Sequence, residues 1–200
     1  MYDTKRLVVG TGVSFLVVAA VGLVILSSGT AYAAPLASGN GFTVTADEIR
    51  SDEFLLYPSS GENDAGSTPV VVAEQRDVEI DGLELTRKQN IPMMDGTMQI
   101  SFTAEETVEA DQQYIKLTGL EAKEATFNGQ VIKTQASDNP ERQFQQAAGE
   151  NVDPEDGYIT DIHGGSPGMV QEDVTIDMVY LASNEISLPG LNVDVEYNSK

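Results

Sequence analysis

Val78-Glu79-Ile80-Asp81-Gly82-Leu83-Glu84-Leu85 has the form apolar-x-apolar-x-Gly-Leu-x-apolar, and the form recurs in the chain. Ile115-Lys116-Leu117-Thr118-Gly119-Leu120-Glu121-Ala122 repeats it, as does Ile186-Ser187-Leu188-Pro189-Gly190-Leu191-Asn192-Val193. Val78 and Ile80 share one face of an extended strand, whereas Leu83 and Leu85 are displaced by an odd number and would point the other way in a straight one. A β-bulge or sharp corner at the glycine returns them to the same side, and glycine tolerates the backbone this needs. The glycines lie 37 and then 71 residues apart, the second interval close to two periods of about 36 residues. A copy due near Ala46 survives only as its first half, and one due near residue 155 is missing. Strands bent at intervals build a strongly curved antiparallel sheet, barrel-like or solenoid-like. The plainer alternative is coincidence in a β-protein containing Gly and Leu.

The rest of the chain agrees with a β reading. Phe42-Thr43-Val44-Thr45-Ala46, Met98–Phe102, Val174–Met178 and Leu191–Val195 alternate apolar and polar residues, the pattern of strands with one wet face. Val70-Val71-Val72-Ala73 is continuously apolar and reads as a strand covered on both sides. Phe54-Leu55-Leu56-Tyr57 is a similar run closed by Pro58-Ser59-Ser60-Gly61. Turn-rich connections are expected at Ser59–Thr68, Asp95-Gly96 and His163–Gly168. Asn128-Gly129 between Ala125–Phe127 and Val131-Ile132 predicts a hairpin. One short helix is expected near 140–148, capped by Asn139, opened by Pro140 and ended by Gly149. The fold class is all-β.

The amino terminus reads as a membrane address. Lys5 and Arg6 precede Leu7–Leu26, a run with 15 apolar residues and no charge, and Ala31-Tyr32-Ala33 follows as a small-x-small cleavage signature. Twenty residues would also span roughly 30 Å of hydrocarbon as a helix, so residues 1–33 are a signal peptide or a retained N-terminal hydrophobic helix. In both cases the two bases stay inside, and residues 34–200 form an extracytoplasmic β-domain, secreted or anchored on the outer face of the cytoplasmic membrane. The chain has no cysteine, so neither disulfides nor a lipidated thiol supports it, and the fold rests on burial.

Charge narrows the partners. The chain carries 32 acids against 11 bases, a net charge of −21, with Arg87-Lys88 the one adjacent basic pair of the exported part. Nucleic acid, which needs clustered Lys and Arg, is excluded as a partner. At molar salt the Debye length falls to about 3 Å, so repulsion among spread carboxylates is screened and the charge becomes a solubility device. The composition is that of a salt-loving organism; an ordinary acidic secreted protein or a disordered acidic chain are the alternatives, and the alternating runs oppose disorder.

Candidate sites are few. Gly164-Gly165-Ser166-Pro167-Gly168 satisfies the G-x-S-x-G string of serine hydrolases. Pro167 has no N–H to donate to an oxyanion, and the single histidine, His163, precedes the serine; a glycine-rich turn is the better reading. Asn151-Val152-Asp153-Pro154-Glu155-Asp156-Gly157 offers oxygen ligands at alternate positions, but its glycine falls one place late for a calcium loop and no bidentate Glu follows at the expected distance. Asp47-Glu48, Asp52-Glu53 and Glu62-Asn63-Asp64 read as solvated acids, nothing selects a glycosidase pair among so many carboxylates, and His163 alone completes no transition-metal site. No catalytic, cofactor or metal residue is assigned.

Gly41-Phe42-Thr43-Val44-Thr45-Ala46-Asp47-Glu48-Ile49, followed by Phe54 and Tyr57, resembles the start of a secreted actinobacterial family of unknown function. The order Thr68-Pro69-Val70, Ile80-Asp81-Gly82-Leu83, a strand pair over Leu117–Phe127, and Ile186–Val195 is similar too, so the resemblance covers nearly all of the exported part. Members often carry the label cholesterol esterase and lie beside a small multi-span membrane protein. The resemblance implies a secreted envelope protein with a membrane partner; the esterase label finds no site at Ser166. The chain departs from the family in its lack of cysteine and its acidity, which fits a salt-loving archaeal relative. Three functions follow in order: a non-catalytic structural or interaction protein of the cell surface, self-assembling through strand edges; a carrier of a lipid or other apolar ligand in a curved-sheet groove; and a hydrolase. A groove unfilled by side chains favours the carrier, a flush core with exposed strand edges the surface protein.

Overall fold

A computed structural model describes residues 41–63, 66–90, 95–150 and 164–199. The expectations for residues 1–33, the acidic stretch 151–157, the missing repeat near 155 and His163 lie outside these residues. The described chain is mostly antiparallel sheet. Its strands are β1 (Phe42–Asn63), β2 (Gly66–Asp81), β3 (Glu84–Asn90), β4 (Gly96–Thr103), β5 (Val108–Phe127), β6 (Val131–Thr134), β7 (Phe144–Gly149), β8 (Met169–Ser183), β9 (Ile186–Ser187) and β10 (Asn192–Ser199), with one short helix, α1 (Pro140–Gln143). Among the described residues no helix is long and apolar enough to cross a membrane.

The four long strands hydrogen-bond in a circuit. β1 pairs β2, β2 pairs β5, β5 pairs β8, and β8 returns to β1 through Phe42↔Met178 to Ser51↔Met169. β1 and β2 are a hairpin, the other three pairings join segments remote in sequence, and no copy of the repeat pairs with another, so the copies do not stack as in a solenoid. From this circuit an arm extends: β3 continues the line of β2 along β1, β4 pairs β3, and β10 pairs β4 as the last strand of the sheet order.

Closing four strands onto one core demands strong bending, and the burial pattern shows how it is done. From Phe42 to Phe54 the buried residues of β1 are Phe42, Val44, Ala46, Ile49, Ser51 and Phe54, so the inward steps are two, two, three, two and three. β5 steps from Ala110 to Gln113, β2 from Gln75 to Val78, and β8 from Gln171 to Val174 in the same way. At these steps one residue on each of the paired strands drops out of the ladder without a shift of register, as Asp52 and Asp77 do between Ser51↔Val78 and Glu53↔Arg76, and the apolar set stays inside after the strands have turned. Asp77 and Asp173 take left-handed φ of 49° and 48° at two of them. The repeat obeys the same rule. Ile80, Leu83 and the half-buried Leu85 face one core across Gly82, whose φ is 66°. Leu117 and Leu120 do so across a register shift before Gly119, and Gly190 turns at a φ of 65°. Val78, Val108 and Met169 are almost wholly buried in this core; a fully buried side chain of this kind contributes roughly 1.5–3 kcal/mol through removal from water. Val70, Val72 and Ala73 are buried and Val71 packs on the core, as a strand covered on both sides requires.

Three local expectations are corrected. The helix expected over 140–148 stops at Gln143 after a single turn: Asn139 caps it, its side chain accepting from the Glu141 N–H, but Phe144–Gly149 is strand β7. Pairing of β7 with β6 and with Glu53–Leu56 of β1 satisfies more backbone, and buries Ala148, than further helix would. Asn128-Gly129 turns the chain, with Gly129 at a φ of 65°, yet makes no hairpin, because β6 pairs β7 and not β5. The Asn128 backbone N–H donates to Gly168 O, its side-chain amide to Pro167 O, and its carbonyl accepts from Gly149 N–H. The residues are used as a corner that ties three segments. Leu117–Phe127, expected as a strand pair, lies within the single bulged strand β5.

Candidate apolar cavity

Where the arm leaves the circuit, the sheet splays and side chains do not fill the space between arm and circuit. A cavity of about 360 Å³ remains. Its deep wall is the circuit: Phe42, Val44, Ile80, Ile115, Ile176 and Met178, all buried. Its outer wall is half-buried: Leu85 and Arg87 of β3, Ile100 and Phe102 of β4, and Leu188 and Leu191 around the third repeat glycine. The alternation of β3 and β4 explains which residues line it. Leu85 lies opposite Phe102 and Arg87 opposite Ile100, so these four share the inward face, while Thr86 and Ser101 share the other.

The 184–191 segment closes one side and is held by the backbone. β9 pairs Glu109 and Ala110 of β5, Glu105 N–H donates to Pro189 O, and Asp111 N–H donates to Glu185 O. Residues Leu83, Leu188 and Leu191 of the repeat thus line the same space. The step of three that bends the sheet also delivers the cavity's apolar lining.

Polar groups in the lining are sparse. Gln75 and Gln113 face each other across β2 and β5 and are both buried. Ser183 donates to Gln112 O or Glu185 O. Arg87 is the one charged lining residue among the described residues. An engineered apolar cavity of about 150 Å³ stays dry and takes a benzene molecule; this one has more than twice that volume, within the size range of small-molecule sites.

The residues singled out in the sequence lie elsewhere. Ser166 sits in the bend before β8 and donates to the Asp52 carboxylate, fastening the Gly164–Gly168 turn to β1. Its neighbour Pro167, joined by a cis peptide, offers a carbonyl to Asn128 and no N–H. Asp52 and Ser166 border a second, open cleft of about 580 Å³ with Asp77, Glu79, Glu109, Asp111 and Glu185, and one base, Arg50. Arg50 pairs with Glu48 and lies 3.7 Å from Glu79, while Glu53 meets Arg76 at 3.3 Å. Of the acid pairs read as solvated, Glu48 and Glu53 are therefore ion-paired and Asp52 holds Ser166. Among the described residues no three acidic or histidine side chains are placed to hold a metal ion.

Outside the cavity, one half-buried polar cluster stands out. The Tyr57 hydroxyl donates to Glu74 at 2.6 Å, and Tyr114 meets Tyr180 edge-on at 5.9 Å. Burial first, then the Glu74 carboxylate, raises the Tyr57 phenol far above its ordinary range; burial likewise raises Tyr114. Sequence reasoning did not single out the cavity. The signal was indirect: a groove expected of a curved sheet, and Gly-Leu copies of which the first and third bring leucines to the lining and the second brings Ile115.

No curated protein and no solved structure matches the chain. A family model does, over residues 38–200, and on that match the protein belongs to a family of unknown function (DUF6230).

Proposed function

We propose that residues 34–200 are an extracytoplasmic cell-envelope domain that carries the apolar part of a lipid-like molecule in the cavity between circuit and arm. One observation carries the reading: an apolar space of about 360 Å³ between circuit and arm, with a deep wall of buried side chains and a half-buried outer wall. Native interiors are close-packed, and voids larger than a water are few, so a space of this size is a feature with a use. The circuit serves as a short barrel-like wall and the arm as a flap that leaves a way in past Leu85 and Phe102. Residues 1–33 deliver the domain to the outer face of the membrane, either cleaved or retained, and a small multi-span membrane protein is its partner there. The acidity suits a salt-loving source and keeps the domain off nucleic acid.

A second reading, a surface protein that assembles through strand edges, has its own support. β10 ends the sheet order, and its Val195 and Tyr197 are 57% and 45% exposed. Apolar side chains on an edge strand template pairing with a neighbour.

Mass spectrometry on protein purified at high salt from its own membranes, together with an organic extract of the same sample, separates the two. A carrier yields lipid in near-stoichiometric amount, and Leu85→Trp, which fills the cavity, abolishes it. A lipid-free extract from a monodisperse oligomer sinks the carrier and leaves edge assembly. The intact mass, beginning at Met1 or Ala34, decides between anchor and release in the same run.

A further inference from the structure

The circuit side of the cavity is polar along a single line. Gln75↔Gln113 and Gln113↔Ser183 are register partners across β2, β5 and β8, so these side chains stand in one row of the sheet, and all three line the cavity. The next row on the same face, Ala73, Ile115 and Leu181, is apolar. Gln75 and Gln113 are each 3% exposed, and among the described residues neither amide has a hydrogen-bond partner outside this row. Two facing amides exchange at most two reciprocal hydrogen bonds, which leaves one N–H on each. Ser183 gives its proton to Gln112 O or Glu185 O and keeps lone pairs on its own oxygen. Burying such groups is unfavourable unless something satisfies them, and an apolar residue at either glutamine position would simply have continued the wall.

We infer that the ligand carries an uncharged oxygen group, hydroxyl or carbonyl, which docks on the Gln75–Gln113 row while its apolar part fills the space among Phe42, Met178 and Leu85. This rests on the carrier reading above. Neither sign of charge is provided for. No Asp or Glu lines the cavity among the described residues, so an ammonium head would find no counter-charge. Arg87 is engaged within the protein, and amides alone do not offset the desolvation of a carboxylate. The protein's net charge of −21 also repels an anion at long range. An uncharged oxygen meets none of these costs. A hydroxyl accepts an amide N–H and donates to an amide oxygen or to Ser183 Oγ, and a carbonyl accepts from one or both amides.

The test holds the chain constant and varies the head. Octanol, methyl hexyl ketone, octyl chloride, octanoate and octylammonium are titrated into the full chain carrying Leu188→Trp. That substitution supplies the only tryptophan of the protein, at the cavity wall. Octanol and the ketone should bind more tightly than either ion. Gln75→Met combined with Gln113→Met keeps the shape of the row and removes its hydrogen bonds. It should weaken octanol and the ketone by at least about tenfold while octyl chloride binds as before or better, which also shows that the variant is folded. The larger of the two losses names the group as hydroxyl or carbonyl. Gln113→Met alone should cause part of the loss. If octanol and the ketone weaken no more than octyl chloride, or if either ion binds more tightly than octanol, the docking row is overturned and the cavity reading stands. Binding of none of the five probes to the unsubstituted row overturns both.

Discussion

Alanine at the three repeat glycines should produce three different costs, although the sequence makes the positions equivalent. Gly82 has a φ of 66°, and a Cβ there meets the Asp47 carboxylate. The left-handed backbone costs a non-glycine residue about 1–2 kcal/mol, while Asp47 is a flexible chain end that can turn aside. Gly190 has a φ of 65°, and its Cβ would lie 2.7 Å from the Cβ of Glu105, which cannot swing away without its backbone. Its cost is the same strain plus a displacement, about 2–3 kcal/mol in all. Gly119 has no left-handed φ, and its nearest neighbour is Asp177 Oδ2 at 3.6 Å, an ordinary contact. Alanine there is neutral or stabilises by up to about 1 kcal/mol through the unfolded chain. For a chain of this size 1 kcal/mol corresponds to about 2–4 °C in Tm. Thermal melts should therefore show Gly119→Ala at or above wild type, Gly82→Ala about 2–8 °C below, and Gly190→Ala lowest. Repeating Gly82→Ala in the D47A background separates strain from crowding: a similar loss is expected there. If Gly119→Ala costs as much as Gly82→Ala, the glycines are kept for space and the account of the corners is wrong.

Phe54 is 3% exposed and packs on Phe127 with ring centroids 5.6 Å apart, so Phe54→Ala should cost about 3–5 kcal/mol in urea unfolding; a loss under 1 kcal/mol would mean that end of the circuit is loosely packed. Tyr57 and Tyr114 have raised pKa values in the fold, by burial first. Below their ordinary value near 10 the phenols are neutral in both states and add no pH dependence. Above it the unfolded chain loses protons that the fold keeps, so stability falls as pH rises. The urea midpoint should drop between about pH 10 and 11 and drop less in Tyr57→Phe; equal slopes would place the alkaline sensitivity elsewhere. The net charge of −21 predicts a Tm that climbs from low salt to molar KCl as repulsion is screened, and a flat profile would remove the salt-loving reading.

The β class was legible because alternation is a short-range signal: Phe42–Ala46 and Val174–Met178 can bury one face only as strands. The need for bends was legible in the Gly-Leu repeat, since Ile80 and Leu83 cannot share a core otherwise. What the repeat hid is that glycine carries few of the bends. Asp47, Asp52, Asp77, Asp81, Asp111 and Asp173 each fall inside a step of three between buried residues. Two of them, Asp77 and Asp173, take the left-handed φ that aspartate is among the few residues to accept, and in a chain with so many acids their placement passes for solubility. The one-turn helix and the Asn128-Gly129 corner were misjudged for a different reason. Their local signals are real, but β7 and β6 find each other across the chain, and tertiary pairing overrides local propensity. The cavity was legible only as a groove expected of a curved sheet. Its walls come from β1, β2, β3, β4, β5, β8 and the 186–191 segment, and no local pattern states that seven segments converge without filling the space between them.

An apolar molecule should enter that space, and methionine methyl NMR reports its entry at the wall. Met178 lines the cavity, whereas Met169 is fully buried in the core and does not. With ¹³C-methyl methionine and dodecanol as the added ligand, the Met178 signal should shift in a saturable way, Met169 should stay in place, and Leu85→Trp should abolish the response. A Met178 signal indifferent to the ligand, or all methionine signals moving together, would contradict the carrier account.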